Sequence, residues 1–307
     1  MDARRSLRLI AGLALVVAIA AAAAQAVSEP KTIATIPVGG QSGMLLAVGG
    51  SLWTSDLARG RVVRIDPARN AVTRRIPIGA RPFGMAGGAG SVWVADRILG
   101  QLARVDPKTG RVVAKITIGF NSYAVAFGAG SVWVTSEADG TVRRIDPRTN
   151  RVTKTIAIGT TPNGVVYAFG ALWVADLGTG KLARVDVRTN RVTKRLAIAK
   201  ADWITASPDA LWVSSENGTV VRVDPASGRI VARISVGANP LGSAWVDGEL
   251  WVPNIDDGTV SIVDASRNAV RTTFTVGDGP LSIVTAGGDV WLSNSEAGEV
   301  WRLRPAG

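Results

Sequence analysis

Tryptophan recurs along this chain at a nearly fixed interval. Trp53, Trp93, Trp133, Trp173, Trp212, Trp251 and Trp291 follow one another at 40, 40, 40, 39, 39 and 40 residues. A second series keeps the same phase: Asp66, Asp106, Asp146, Asp186, Asp224 and Asp264, with Arg304 in the seventh place. Pro67, Pro107, Pro147 and Pro225 follow four of those aspartates. A period near forty, held seven times, restricts the chain to architectures in which each unit buries its faces against its neighbours.

Each unit reads as four short strands with turn residues between them. In the third unit the expected strands are 123–127, 131–136, 141–145 and 152–158. Gly128-Ala129-Gly130 and Asp139-Gly140 mark the first two turns. Asp146-Pro147-Arg148-Thr149-Asn150 makes the third, with proline fixing φ and Asp and Asn capping the backbone. No helical periodicity is sustained after the amino terminus. Four strands per forty residues, seven times, predicts an all-β, seven-bladed β-propeller. The chain ends favour a closed ring over a solenoid. Residues 31–39 match an outermost strand but precede the first unit, and the last unit stops after its third strand. The amino-terminal strand therefore completes the seventh blade, which leaves no open edge. The seven tryptophans are read as packing between blades, where each buried ring stabilises by roughly 2–3 kcal/mol.

The recurring pattern S-V-W-V-A-D, G-x-V-x-R-I-D-P-x-T-N-R-V and I-x-I-G-x-x-P-x-G resembles the YncE-type (YVTN) propeller family across residues 31–304. That resemblance implies the propeller fold and an exported protein, and it brings an association with DNA. The repeats are also similar to those of the streptogramin B lyases (virginiamycin B lyase), which depend on histidines and magnesium. This chain has no histidine to take those roles. Lactonase-type propellers, with acidic and amide metal ligands, are a more distant comparison.

Residues 1–26 read as an export signal. Arg4, Arg5 and Arg8 precede an apolar run over 9–24, and Ala24-Gln25-Ala26 suits signal peptidase. Cleavage leaves one propeller domain over 27–307, with no transmembrane segment, in the periplasm or outside the cell. The alternative is an uncleaved membrane anchor. The sequence contains no cysteine and no histidine. It therefore lacks disulfides, thiolate nucleophiles, Ser-His-Asp triads and imidazole metal ligands. The formal net charge is +11. Because Arg61, Arg64, Arg104, Arg111, Arg143, Arg144 and Arg151 are spread through the repeats, they read as solvated strand edges. Weak binding to nucleic acid or an anionic polymer remains an open reading of that charge.

The loop after each tryptophan strand and the loop entering the next blade share one rim, where propellers commonly bind ligands. Three residues after each repeat tryptophan stand Asp56, Asp96, Ser136, Asp176, Ser215, Asn254 and Asn294. Two readings fit this ring: Asx-type turns, or a polar circle that meets a ligand or a hard cation, calcium or magnesium. No cofactor is otherwise expected. Asn254, Asp256 and Asp257 form the densest acidic stretch and read as a turn, with a calcium loop as the alternative.

Departures from the repeat point to a pocket across blades three to five. Phe120-Asn121-Ser122-Tyr123 replaces the usual I-G-x-x-P-x-G loop, and Lys200-Ala201-Asp202-Trp203 lacks its glycine and proline. The expected pocket uses Tyr123, Asn163, Asp202 and Trp203, with Phe120 and Asn121 beside them and Arg81 and Lys200 for an anionic group. No catalytic residue is assigned. The expected function is a monomeric, non-catalytic binding or scaffolding module for a small molecule or protein. A metal-dependent lyase or lactonase-like enzyme is the alternative.

Overall fold

The structure, a computed structural model, describes residues 29–305. The predicted signal segment lies outside the described residues. Seven four-stranded antiparallel sheets follow one another, each ordered from its innermost to its outermost strand. In blade three the strands are Ser122–Gly128, Ser131–Ser136, Thr141–Asp146 and Arg151–Ala157, within a residue or two of expectation. The seventh blade takes Lys31–Pro37 as its outer strand, pairing Lys31 with Arg304 and Pro37 with Glu299. The Ser42 hydroxyl donates to the carbonyls of Asn294 and Glu299 at 2.7 and 2.8 Å, which fastens blade one to blade seven.

All seven repeat tryptophans are buried, with 0–2% of their surface exposed. Each occupies the second strand of its sheet, packed among the β-branched and leucine side chains that line the contact with the adjacent blade. Burial of such rings on both faces of every blade explains why the period is marked by tryptophan rather than by smaller apolar residues.

Two classes of arginine separate here. The outermost strands carry exposed Arg74, Arg75, Arg151, Lys154, Arg191, Lys194, Arg195, Arg229 and Arg233, the solvated basic edge expected from sequence. The third-strand arginines correct that reading. Arg64, Arg104, Arg144, Arg184, Arg222 and Arg302 lie over their own blade's tryptophan at 4.9–5.9 Å, a cation–π arrangement. Four of them also reach the next blade. Arg104 donates to Pro147 O and Asn150 Oδ1 at 2.7 and 3.0 Å. Arg144, Arg222 and Arg302 make the equivalent pair of bonds, to Asn190, Asn268 and Asn70.

The acceptor is an asparagine in the left-handed region, φ 50–58°, at the turn before the outer strand. Arg64 and Arg184 face Gly110 and Gly228 in that place, and neither makes the inter-blade bond. Blade six carries Ile262 opposite its tryptophan. The blade after it has no such turn, because its outer strand comes from the amino terminus. At the junction of blades six and seven both the arginine and its acceptor turn are therefore missing.

Candidate functional site

The seven-residue polar ring proves to be loop architecture. The Asp96 carboxylate accepts from Ile98 N and Leu99 N at 2.9 and 2.8 Å, and from Ala80 N and Arg81 N at 2.6 and 3.1 Å. One side chain thus shapes its own turn and clamps the loop entering the blade. Asp56 accepts from Arg59 N and the Arg61 guanidinium. Asp176 holds Thr161 N, and Ser136 and Ser215 donate to Phe120 O and Ala199 O. Asn254 and Asn294 bind Gly237 N and Val276 O. All seven are at most 1% exposed and are hydrogen-bonded within their loops. The loop glycine follows from this: a Cβ at Gly79 or Gly159 would overlap the facing carboxylate. Blade five, with Ser215 in the ring, carries Ala199 there instead.

Asp256 and Asp257 likewise accept from Asn239 Nδ2 and Ala238 N, consistent with the turn reading. Among the described residues no three His, Cys, Asp or Glu side chains gather as metal ligands.

Two further rings surround the channel mouth above and below this clamp. The inner ring comes from the bulge that begins the innermost strand in six blades, with Gly43, Phe83, Tyr123, Asn163, Asp202 and Leu281, and from Leu241 ahead of the short innermost strand of blade six. Met44, Phe83, Tyr123 and Leu241 belong to one buried cluster, with Trp203 and Leu281 packed against it. The apolar members of this ring thus pack against one another across blades. The upper ring lies one residue beyond the clamp: Leu57, Arg97, Glu137, Leu177, Glu216, Ile255 and Ser295. In each blade its backbone N–H donates to the entering loop, as Arg97 N does to Arg81 O and Glu216 N to Lys200 O.

Charge and polarity fall on one arc. Arg97 donates to Glu137 at 2.8 Å, and its guanidinium stacks over Tyr123 and Phe83 at 4.7 and 5.4 Å. Burial raises the pKa of Glu137, while Arg97 opposes that shift. Asn163 Nδ2 donates to Asp202 Oδ1 at 2.7 Å, and the Thr135 hydroxyl fixes the Asn163 carbonyl from the preceding blade. Burial pushes the Asp202 carboxyl up to about 6, with the Asn163 hydrogen bond opposing it and Glu216 and Glu137 adding to it. The Tyr123 phenol is raised by burial and then by Asp202. Leu57, Ile255, Leu241 and Leu281, from blades one, six and seven, belong to or pack against the cluster that holds Tyr123.

Asn163 and Asp202 are joined by a hydrogen bond, and Tyr123 and Trp203 share one apolar cluster. Arg81, Asn121 and Lys200 stand at the exposed rim, with Lys200 Nζ 3.6 Å from Glu216. Phe120 does not join them: it is 69% exposed, a correction to the expected pocket. The chain turns through a left-handed Asn121, φ 53°, which separates Phe120 from the inward-pointing Tyr123. Arg97, Glu137 and Glu216 were missed. Their signal was a column one residue past the clamp, charged in blades two, three and five alone.

A model of a repeat of unknown function (DUF6923) matches residues 84–193, from the inner strand of blade two to the outer strand of blade four. No match is found among curated proteins. Among solved structures, hydrazine synthase of Kuenenia stuttgartiensis is similar with a TM-score of 0.76 and 16% identity, over 88% of this chain and 96% of that one. A streptogramin B lyase structure is similar with a TM-score of 0.77 and 14% identity, over 91% of this chain and 97% of that one. These likenesses establish the propeller fold, and at such identity the fold alone.

Proposed function

We propose that this protein is an exported, non-catalytic binding module of YncE type that captures a small molecule at the channel mouth. One observation carries the reading: the sevenfold pattern breaks on a single arc. Tyr123, which packs in one cluster with Leu57, Leu241, Ile255 and Leu281, adjoins the polar group of Asn163, Asp202, Arg97, Glu137 and Glu216. A mostly apolar concavity with a few oriented polar groups is the arrangement that ligand sites take. The signal-like first 26 residues support export.

A fragment screen by thermal shift tests this reading. Fragments that stabilise the wild type are expected to lose their effect in Trp203→Ala and Arg97→Ala and to keep it in Trp245→Ala, on the opposite face. Retention of the shifts in both mouth variants refutes the site.

A second reading is supported by Asp202, whose pKa near 6 suits a general base. Under it the protein is a lyase, in line with the similarity to a streptogramin B lyase. Turnover of a streptogramin B compound in the presence of magnesium, lost in Asp202→Asn, supports that reading. Binding without turnover supports the first.

A further inference from the structure

The polar groups of the mouth are not balanced between donors and acceptors. Two rim cations already have an anion, Arg97 with Glu137 at 2.8 Å and Lys200 with Glu216 at 3.6 Å, while Arg81 stands exposed at the outer edge without an ion pair among the described residues. In the inner ring Asp202 is 4% exposed and has no cation within salt-bridge distance among the described residues. Its one hydrogen bond comes from Asn163 Nδ2. Asn163 is itself 3% exposed, and its Oδ1 is buried with no partner. An amide oxygen without any donor thus stands beside a carboxylate whose one donor is Asn163 Nδ2. Such groups are costly to bury unless something supplies the missing protons.

The surroundings narrow the class of donor. A hard metal ion requires more oxygen ligands than this pair supplies, and no third acidic side chain gathers with them among the described residues. The inner ring is otherwise apolar and aromatic, with Met44, Leu241, Leu281 and the Trp203 ring in one cluster. An ammonium group on an apolar body satisfies both halves. Its N–H bonds meet Asp202 and Asn163 Oδ1, its charge is opposed by Asp202, and its body covers Trp203 and the leucines. A carboxylate or phosphate placed beside Asn163 Oδ1 would meet Asp202 with like charge, since Arg97 and Lys200 are already paired with Glu137 and Glu216.

We infer that the channel mouth is a site for a protonated amine carried on an apolar or aromatic body, held by Asp202 and Asn163. This inference rests on the binding reading above and specifies its ligand class.

The experiment uses three probes of matched size on the full mature chain: 2-phenylethylammonium, 2-phenylethanol and phenylacetate. Binding is followed by calorimetry and by the indole N–H resonance of Trp203. The ammonium probe is expected to bind and shift Trp203, and Asp202→Asn is expected to weaken it by about tenfold or more. Lys154→Gln, on the exposed outer strand of blade three, is expected to leave it unchanged and serves as the folding control. Equal or tighter binding of phenylacetate or 2-phenylethanol, with Trp203 shifted, overturns the amine assignment and leaves the mouth as the binding site. Ammonium binding that is unchanged in Asp202→Asn also overturns the assignment. Failure of all three probes to shift Trp203 overturns the assignment and the binding reading together.

Discussion

Replacing Asp202 by asparagine should make the protein more stable at neutral pH. The wild-type carboxyl is buried, and its pKa rises from 3.8 to about 6 on folding. The folded state therefore binds this proton more tightly than the unfolded chain does. Stability from that preference is fully present below the unfolded pKa of 3.8, falls between pH 3.8 and about 6, and is gone above. A shift of about two units corresponds to about 3 kcal/mol. Asparagine keeps the size and an oxygen for Asn163 Nδ2 and carries no titrating proton. The variant should thus gain on the wild type by up to about 3 kcal/mol between pH 4 and pH 7. Thermal or urea unfolding of both proteins at pH 4, 5, 6 and 7 measures it. A stability difference that does not change with pH, or one that moves against the variant as pH rises, refutes the account of Asp202 as an uncompensated buried carboxylate. A gain in stability joined to a loss of amine binding is the signature of a residue kept for function.

The inter-blade arginine bonds are tested by a matched pair. Asn150→Gly removes the acceptor of Arg104 and should cost about 1–2 kcal/mol in urea unfolding, whereas Gly110→Asn should bring no gain, because the Arg74 side chain already fills the space beside Gly110 and donates to Thr109 O. Asp96→Ala strips a partner from four backbone N–H groups and should lower stability by about 2–4 kcal/mol, the effect read as a lower melting temperature. Ile36→Pro, in the closing strand, removes a donor from the seventh blade and opens its edge. Size-exclusion chromatography should then show aggregates or strand-exchanged dimers.

The fold was legible because its cause is periodic. A tryptophan strand, a proline turn and an unmatched first strand each repeat a physical requirement that can be counted along one dimension. The arginine staples were not legible in that way. Arg104 and Asn150 are 46 residues apart and meet only when blade two lies against blade three. A recurring arginine alone does not say whether it meets solvent, a ring or the next blade. The site was partly legible, since Tyr123, Asn163 and Asp202 replace small or apolar residues at equivalent positions. Phe120 was misplaced because sequence adjacency does not give the direction of a side chain across a left-handed turn. Arg97 and Glu137 were missed because each looks like an ordinary loop charge until their ion pair is seen to cross from one blade to the next over Tyr123.

The most direct test of the central claim uses the tryptophans themselves. Of the ten in the chain, seven mark the period, and Trp203, Trp245 and Trp301 stand outside it. Indole N–H NMR spectra recorded during titration with a fragment that binds the protein resolve them as separate reporters. The account predicts that Trp203 shifts progressively while the buried seven, together with Trp245 and Trp301, hold still. Saturable binding that moves Trp245 or Trp301 and leaves Trp203 unmoved contradicts it.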